Sequence, residues 1–546
     1  MKNESIISIY GSHNGGVSVY HNGEIHVIES ERFYGIKNCG LCQYKTPTQY
    51  KIDFSFQEIL RFLNRHYNIP LKFGKCLHQS TDYVIGEERF ELTEGIDCEE
   101  RTHCLHHESH ANGSFYQSDF LKALVLSYDG GGNDGTFNIY LADRKKGIKL
   151  IKNYFMVNLG FPYMIFGHYF SDIAQEMLSQ GNLVYSGKIM GLEAYGKVVE
   201  KWLPFFEDFY DCPMHADFQK VEEDYFYVNK LNKLSEHTGI TFDEAARLEG
   251  EEEYNTAATS QKAFENVFIK YARPFIEEHP KLPIILTGGC ALNISLNSRI
   301  KEEFNRPMFI APNSNDSGLS LGMLLGHLKP QQAPEVTYCG LPLLDRESLL
   351  SDLGERLLGN YAEEDINDVC LESLAGMLKA GKIIGVARGN SEHGPRALGN
   401  RSILCNPSIE GMKDTLNEKV KHREWFRPFA PVVRLEDVNK YFLFNGESRH
   451  MTYSCKVKKA WRKKLKAVTH IDNTARIQTV KRTENPWLYD LLTYFDSVND
   501  HGVLLNTSLN VNGKPILSTI KDAVQIFDEG LDALVIDDLI ISKNDK

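Results

Sequence analysis

Long apolar runs are absent from this chain. The N-terminus MKNESIISIYGSHNGG has no extended hydrophobic stretch after its early lysine. Neither a signal peptide nor a transmembrane helix is drawn there, and a cytoplasmic location is expected. Cysteine is sparse: eleven among 546 residues are too few for a disulfide scaffold and lack the doubled C-x-x-C spacing of a structural zinc site. They read as reduced thiols that mostly pack. Positive charge is in deficit, 61 Lys and Arg against 73 Asp and Glu, so the net charge of −12 disfavours a protein that grips nucleic acid by electrostatics alone. Repeats and low-complexity tracts are missing too, which removes collagen-like and disordered classes. What remains, with 42% hydrophobic and 25% charged residues, is a globular enzyme of two or three domains.

The chain opens as a three-stranded meander, IISIY, VSVY and IHVIES, because Asn22-Gly23 between alternating apolar runs is a type I′ hairpin signal. Apolar strands ending in glycine-rich turns recur at 123–132, 284–293 and 308–325, with a period-3.6 helix over 253–275. The first two thirds therefore read as α/β. Three prolines between 329 and 345 suggest a linker, and a boundary is placed at 335. An amphipathic helix (367–380), the strand KIIGVAR, the loop SEHGPRALGNRSIL and strands at VLLNTSLN and ALVIDD follow.

His106 and His110 are four apart, so on a helix both imidazoles share one face and could reach one ion. A histidine-rich surface helix has the same pattern. Asp129 and Asp316 each follow an apolar run and precede glycine or a helix start. Two His and two Asp make a mixed N/O set suited to Fe²⁺, Mn²⁺ or Zn²⁺, although strand-end aspartates are also common helix caps. Three glycine clusters could cradle a nucleotide: Gly130 to Gly132, the GKIMGLEAYG stretch with Lys188 and Gly191, and Gly288-Gly289 with Asn293. The last third carries Arg396, Arg401, Lys421, Arg423, Arg427 and Arg476 in non-periodic loops, the pattern of an anion pocket, with Asn506 and Ser508 directly after an apolar strand. His13, in the turn after the first strand, is a candidate general base. KVKKAWRKKLK (456–466) has seven basic residues in eleven; it is a solvated face or a contact for a polyanion, with Trp461 free to stack on a base.

Taken in order, SHNGGVSVYHNGEIHVIESERF, HHESHA, SYDGGG, GKIMGLEAYG, TGGCALN, NDSGLSLG, GPRALGNRSIL, FRPFAPVV, AVTHIDNTARIQTV and LLNTSLNVNGKPI resemble the O-carbamoyltransferase family that includes the nodulation-factor, tobramycin and cephalosporin carbamoyltransferases. The resemblance implies an N-terminal actin-like ATPase (ASKHA) domain of duplicated RNase-H-like units over 1–335. It implies a C-terminal YrdC-like α/β domain over 336–546. It further implies that carbamoyl phosphate and ATP form carbamoyl adenylate in the second domain and that the carbamoyl group then passes to an acceptor hydroxyl in the first. By the same resemblance His106, His110, Asp129 and Asp316 would hold a divalent metal, Fe²⁺ foremost. Asp129, Gly130, Lys188, Gly288, Gly289 and Asn293 would contact the adenylate. Arg396, Lys421, Arg427, Arg476, Asn506 and Ser508 would bind carbamoyl phosphate and ATP, and His13 would be the base. Two positions depart from the family pattern: Asn390 stands where the family has Arg, with Arg388 two residues earlier, and Asn14 stands where it has Asp. The acceptor is expected to be a small or moderately sized metabolite. A hydroxymethylated base of a nucleotide or of DNA is the alternative, and an idle nucleotide-binding scaffold is a second one.

Overall fold

The computed structural model describes residues 5–41, 56–79, 83–85, 88–90, 95–154, 157–174, 182–211, 223–346, 366–368 and 370–543. Its first sheet has five strands. Ile6–Tyr10, Gly16–His21 and Glu24–Glu29 form the antiparallel meander, and Lys72–Gln79 and Asp97–His103 add in parallel beyond Ile6–Tyr10. Asn22 and Gly23 both take positive φ, 52° and 91°, as a type I′ turn demands. IISIY is buried from end to end because both faces of the sheet are covered, which is why it reads as a continuous apolar run.

A second sheet repeats this plan. Lys122–Gly132, Gly135–Asp143 and Gly147–Tyr154 make the meander, and Ile284–Thr287 and Met308–Phe309 are its parallel strands. The identical order and polarity mark one unit used twice, the actin-like arrangement. Helix His106–Gln117 follows the last strand of the first sheet but packs on the second; helix Leu319–Leu328 follows the second sheet but packs on the first. The two helices meet where Gly322 lies against the Ser109 carbonyl, so close that a Cβ there would sit 2.1 Å from that oxygen. Only glycine permits the approach. Helix Gly250–Glu278 covers the outside of the second sheet, with Phe268 stacked 5.2 Å from Phe137 and tilted against Tyr128 at 4.5 Å.

Residues 366–542 supply an eight-stranded mixed sheet, ordered Ile366–Asp368, Leu539–Ser542, Ala533–Ile536, Ile384–Ala387, Arg401–Cys405, Val503–Ser508, Ala430–Arg434 and Gln478–Val480. The helix expected over 367–380 is shorter, Leu371–Lys379. Ile366–Asp368 pairs with Leu539–Ile541 as an edge strand instead, and Cys370 is still extended. Residues 329–345 hold no helix or strand, yet they are tied down: Gly340 N–H donates to the Ser391 carbonyl, Ser391 N–H to the Leu341 carbonyl, and His393 N–H to the Thr337 carbonyl.

Candidate functional site

The ends of four elements meet between the two repeated units. His106 and His110 project from the first turns of helix His106–Gln117, Asp129 from the end of strand Lys122–Gly132, and Asp316 from the turn before helix Leu319–Leu328. Their ligand atoms all lie within 4.8 Å of one another. His110 Nε2 is 3.3 Å from Asp129 Oδ2 and from Asp316 Oδ1, and 3.2 Å from His106 Nε2. His106 Nε2 stands 3.8 and 3.7 Å from the same two oxygens. Four donors about 2.1 Å from a common centre are separated by about 3.0–3.4 Å, so this set fits a single divalent ion with a small contraction.

Local structure fixes each donor. The side chains of Asn133 and Asp134, in the turn after the glycine run, accept the backbone N–H groups of His106, His107 and Glu108 and cap the histidine helix. Asp129 is held by two glycine N–H groups, Gly130 at 2.6 Å and Gly289 at 2.5 Å. The second contact depends on Gly288, whose φ of 91° turns the chain over the Tyr128 carbonyl. Tyr10 O–H donates to Asp316 Oδ2 at 2.7 Å. Gln79, at the end of its strand, lies 3.2 Å from His106 Nδ1 through its amide nitrogen, while its buried oxygen has no partner. Turning the amide over lets that oxygen accept Nδ1–H and leaves Nε2 as a lone-pair donor, the tautomer a metal requires. His107 takes no part. It is buried between Ser127 Oγ and the Gly135 carbonyl, and burial holds its pKa down to about 4.

The electrostatics are those of a cation site. Burial and Asp316 push Asp129 upward, but His106 and His110 outweigh them and hold it below the carboxylate range; burial likewise opposes, and His13 and His106 overcome, the same trend at Asp316. His110, drawn down by burial, is raised to about 9 by its bonds to both carboxylates. Two carboxylates that draw protons onto neighbouring imidazoles form a set that could exchange those protons for a metal. His13 Nε2 lies 3.0 Å from Asp316 Oδ2, with the side chain 44% exposed. Burial lowers its pKa and Asp316 raises it, with a net rise. Asp316, not residue 14, orients this histidine; Asn14 occupies a left-handed backbone position, φ 54°.

The other expected nucleotide contacts are partly engaged. Asn293 caps helix Ile294–Phe304 through Leu296 N–H and exchanges two bonds with Gln261. Gly130 and Gly289 direct their N–H groups at Asp129. Lys188 forms a buried ion pair with Glu424, across the junction with the last third of the chain.

In that last third Arg396, Lys421, Arg423, Arg427 and Arg476 crowd together. Burial, then Arg427, lowers Arg396 to about 10; burial and neighbouring cations hold Lys421, Arg423 and Arg476 well below their ordinary values. Lys421 Nζ donates to the Ser508 carbonyl at 2.7 Å and to the Asn510 carbonyl at 2.6 Å. Arg476 Nε is buried without a partner. Cations that repel one another at this density call for a polyanion. Asn506, on the same strand as Ser508 and buried, donates to Gln478 Oε1 at 2.7 Å. Arg401 is buried and spends its guanidinium on the Arg388, Asn400, Leu341 and Gly389 carbonyls.

Three features escaped the sequence. Lys37 joins the cation cluster, its pKa lowered by burial and by Arg427. Gln79 and Glu424 reach their partners over long chain separations that no local pattern marks. One C-x-x-C does occur: Cys39 is buried, which pushes its thiol up to about 12, and Cys42 lies outside the described residues. Arg388 does not turn toward the cluster; it lies 4.8 Å over the Trp487 ring and 3.4 Å from Asp538, and Asn390 is exposed. In the basic stretch Trp461 packs edge-on to Tyr441, and Lys456 and Lys464 pair with Asp472 and Asp500, so the indole is not free to stack on a base. Among the described residues no helix is long and apolar enough to cross a membrane.

Family models described as Carbamoyltransferase N-terminus and Carbamoyltransferase C-terminus match residues 88–325 and 375–543. The uncharacterised protein MJ1051 of Methanocaldococcus jannaschii is 31% identical, over 80% of this chain and 82% of its own. Nodulation protein NolNO of Sinorhizobium fredii is 30% identical over 88% and 68%. The 3'-hydroxymethylcephem-O-carbamoyltransferase of Amycolatopsis lactamdurans is 36% identical over 48% and 49%. The chain belongs to the carbamoyltransferase family and is a transferase.

Proposed function

We propose that this chain is an ATP-dependent O-carbamoyltransferase with two sites, acting in the cytoplasm on a hydroxylated metabolite of small or moderate size. In this reading residues 336–546 convert carbamoyl phosphate, ATP and one water into carbamoyl adenylate, phosphate and pyrophosphate. Residues 1–335 then pass the carbamoyl group to an acceptor hydroxyl and release AMP. The observation that carries it is the convergence of His106, His110, Asp129 and Asp316 beside His13, with a separate cluster of crowded, partly buried cations on the other half.

Each cluster has a distinct task. Arg396, Lys421, Arg427 and Arg476 neutralise the phosphates of both substrates and bring the reacting groups together, with Asn506 and Ser508 completing the wall. Asp129, Gly130, Lys188, Gly288, Gly289 and Asn293 contact the adenylate in this reading. There His106, His110, Asp129 and Asp316 would hold a divalent metal, Fe²⁺ foremost with Mn²⁺ or Zn²⁺ as alternatives, which supplies positive charge for the phosphate that leaves with AMP. With Nε2 turned to Asp316, His13 takes the proton of the acceptor hydroxyl at Nδ1 as that hydroxyl's oxygen attacks the carbamoyl carbon, and the resulting imidazolium is stabilised by Asp316. An adenylate of this kind hydrolyses readily, so transfer inside one chain protects it.

The test is incubation of the metal-loaded protein with ATP, labelled carbamoyl phosphate and a panel of hydroxylated metabolites and nucleosides. Pyrophosphate release followed by label on one acceptor is expected. A folded, metal-loaded protein that releases neither pyrophosphate nor AMP would show the chain to be a scaffold.

A further inference from the structure

One carboxylate reaches into the cation cluster and also bridges the halves of the chain. Glu424 pairs with Lys188 Nζ through Oε1 and stands 3.5 Å from Arg427 Nη1 through Oε2. The side chains of Lys188 and Glu424 are only 6% and 7% exposed. Lys188 belongs to helix Tyr185–Leu192, whose Gly191 lies against the Phe426 ring, so the pair is locked at a packed junction. Glu31 also faces the cluster, at Lys37, but accepts the Asn38 N–H at 2.9 Å and belongs to the wall. A phosphate that uses both Lys188 and Arg427 therefore meets a competitor already in place.

We propose that Glu424 is a resident counter-anion, a positioning residue that holds Lys188 and Arg427 in the empty protein and is displaced by the phosphate group of an incoming ligand. A buried lysine beside a partly buried arginine, without an anion, is repelled by its neighbour and carries an uncompensated desolvation cost. Glu424 offsets that cost before substrate arrives. Once a phosphate is bound, two anions share one shell, so the carboxylate weakens phosphate binding and hastens product release. Exchange also frees Lys188 from Glu424, so that its ammonium can follow the phosphate toward the first half of the chain. This rests on the phosphate-binding role proposed above for the cluster.

Calorimetric titration of the full chain with pyrophosphate, in the wild type and in Glu424→Gln, Glu424→Asp and Arg427→Ala, tests it. Glu424→Gln should bind pyrophosphate about tenfold tighter or more, because one like charge leaves the shell around the phosphate. Glu424→Asp, which keeps the charge, should stay within about threefold of wild type. In turnover the Gln variant should lower KM for ATP and lower kcat as product is retained. A purely structural pair would instead weaken binding in the Gln variant. If Glu424→Gln folds poorly, pyrophosphate should restore its thermal midpoint toward wild type, since the added anion replaces the lost one; no restoration contradicts the proposal. Wild-type binding that Arg427→Ala weakens and Glu424→Gln leaves unchanged overturns the counter-anion role while keeping the cluster. No binding by wild type overturns the phosphate-site reading itself.

Discussion

At the residue scale, the proposed function gives the four converging side chains and His13 separate tasks. His110 is nearly encased and touches both carboxylates, so His110→Ala removes a ligand that nothing nearby replaces. Loss of metal by elemental analysis is the expected result, with affinity down by about a hundredfold or more, and carbamoyl transfer lost with it. His13 is a base rather than a ligand in this reading. His13→Gln at saturating metal should slow transfer by about 10²–10⁴-fold while metal content and pyrophosphate release hold; equal loss of all three would remove His13 from the base role. The four side chains that converge were legible in the sequence because their local contexts carry meaning. Two histidines four apart share a helix face, and an aspartate after an apolar run lies at a strand end. Gln79, Lys37 and Glu424 were not legible, because each matters through a partner that only the folded chain brings near. Asn293 shows the opposite limit: a residue in a glycine-rich motif whose side chain serves first as a helix cap.

At the scale of elements, the site depends on how closely two helices approach. Helix Leu319–Leu328 carries Asp316 at its start and helix His106–Gln117 carries the histidines, and the Gly322 contact with Ser109 sets their separation. Gly322→Val should cost roughly 1–3 kcal/mol of stability through overpacking and should also loosen the metal. A lowered thermal midpoint with reduced metal retention is the signature; unchanged metal affinity would uncouple the crossing from the site. The meander and the parallel strands were readable from hairpin chemistry and apolar runs. The edge strand Ile366–Asp368 was not, since its pairing with Leu539–Ile541 lies far off in sequence and its residues suit the start of a helix equally well.

At the scale of the whole molecule, the loop SEHGPRALGNRSIL couples the halves. His393 is fully buried, accepts from Asn313 Nδ2 at 2.8 Å, donates to the Ser317 carbonyl at 3.0 Å, and so braces the turn that carries Asp316. Arg396, three residues later, belongs to the cation cluster. Burial lowers the His393 pKa from an ordinary 6.5 to about 4. The folded protein therefore binds this proton less readily than the unfolded one. Stability is full above about pH 6.5 and declines as pH falls toward 4, by on the order of 3 kcal/mol from this group. Denaturation at several pH values in wild type and His393→Gln measures it: the variant should lose part of that acid sensitivity, and an unchanged acid profile would remove His393 from the junction's pH dependence.

The two-site division is tested most directly by assaying each half-reaction in His110→Ala and Arg427→Ala. His110→Ala should release pyrophosphate from ATP and carbamoyl phosphate yet carbamoylate nothing. Arg427→Ala should release none, but should still carbamoylate the acceptor when carbamoyl adenylate is supplied. Equal loss of both half-reactions in each folded variant would contradict a chain that builds the activated group in one place and uses it in another.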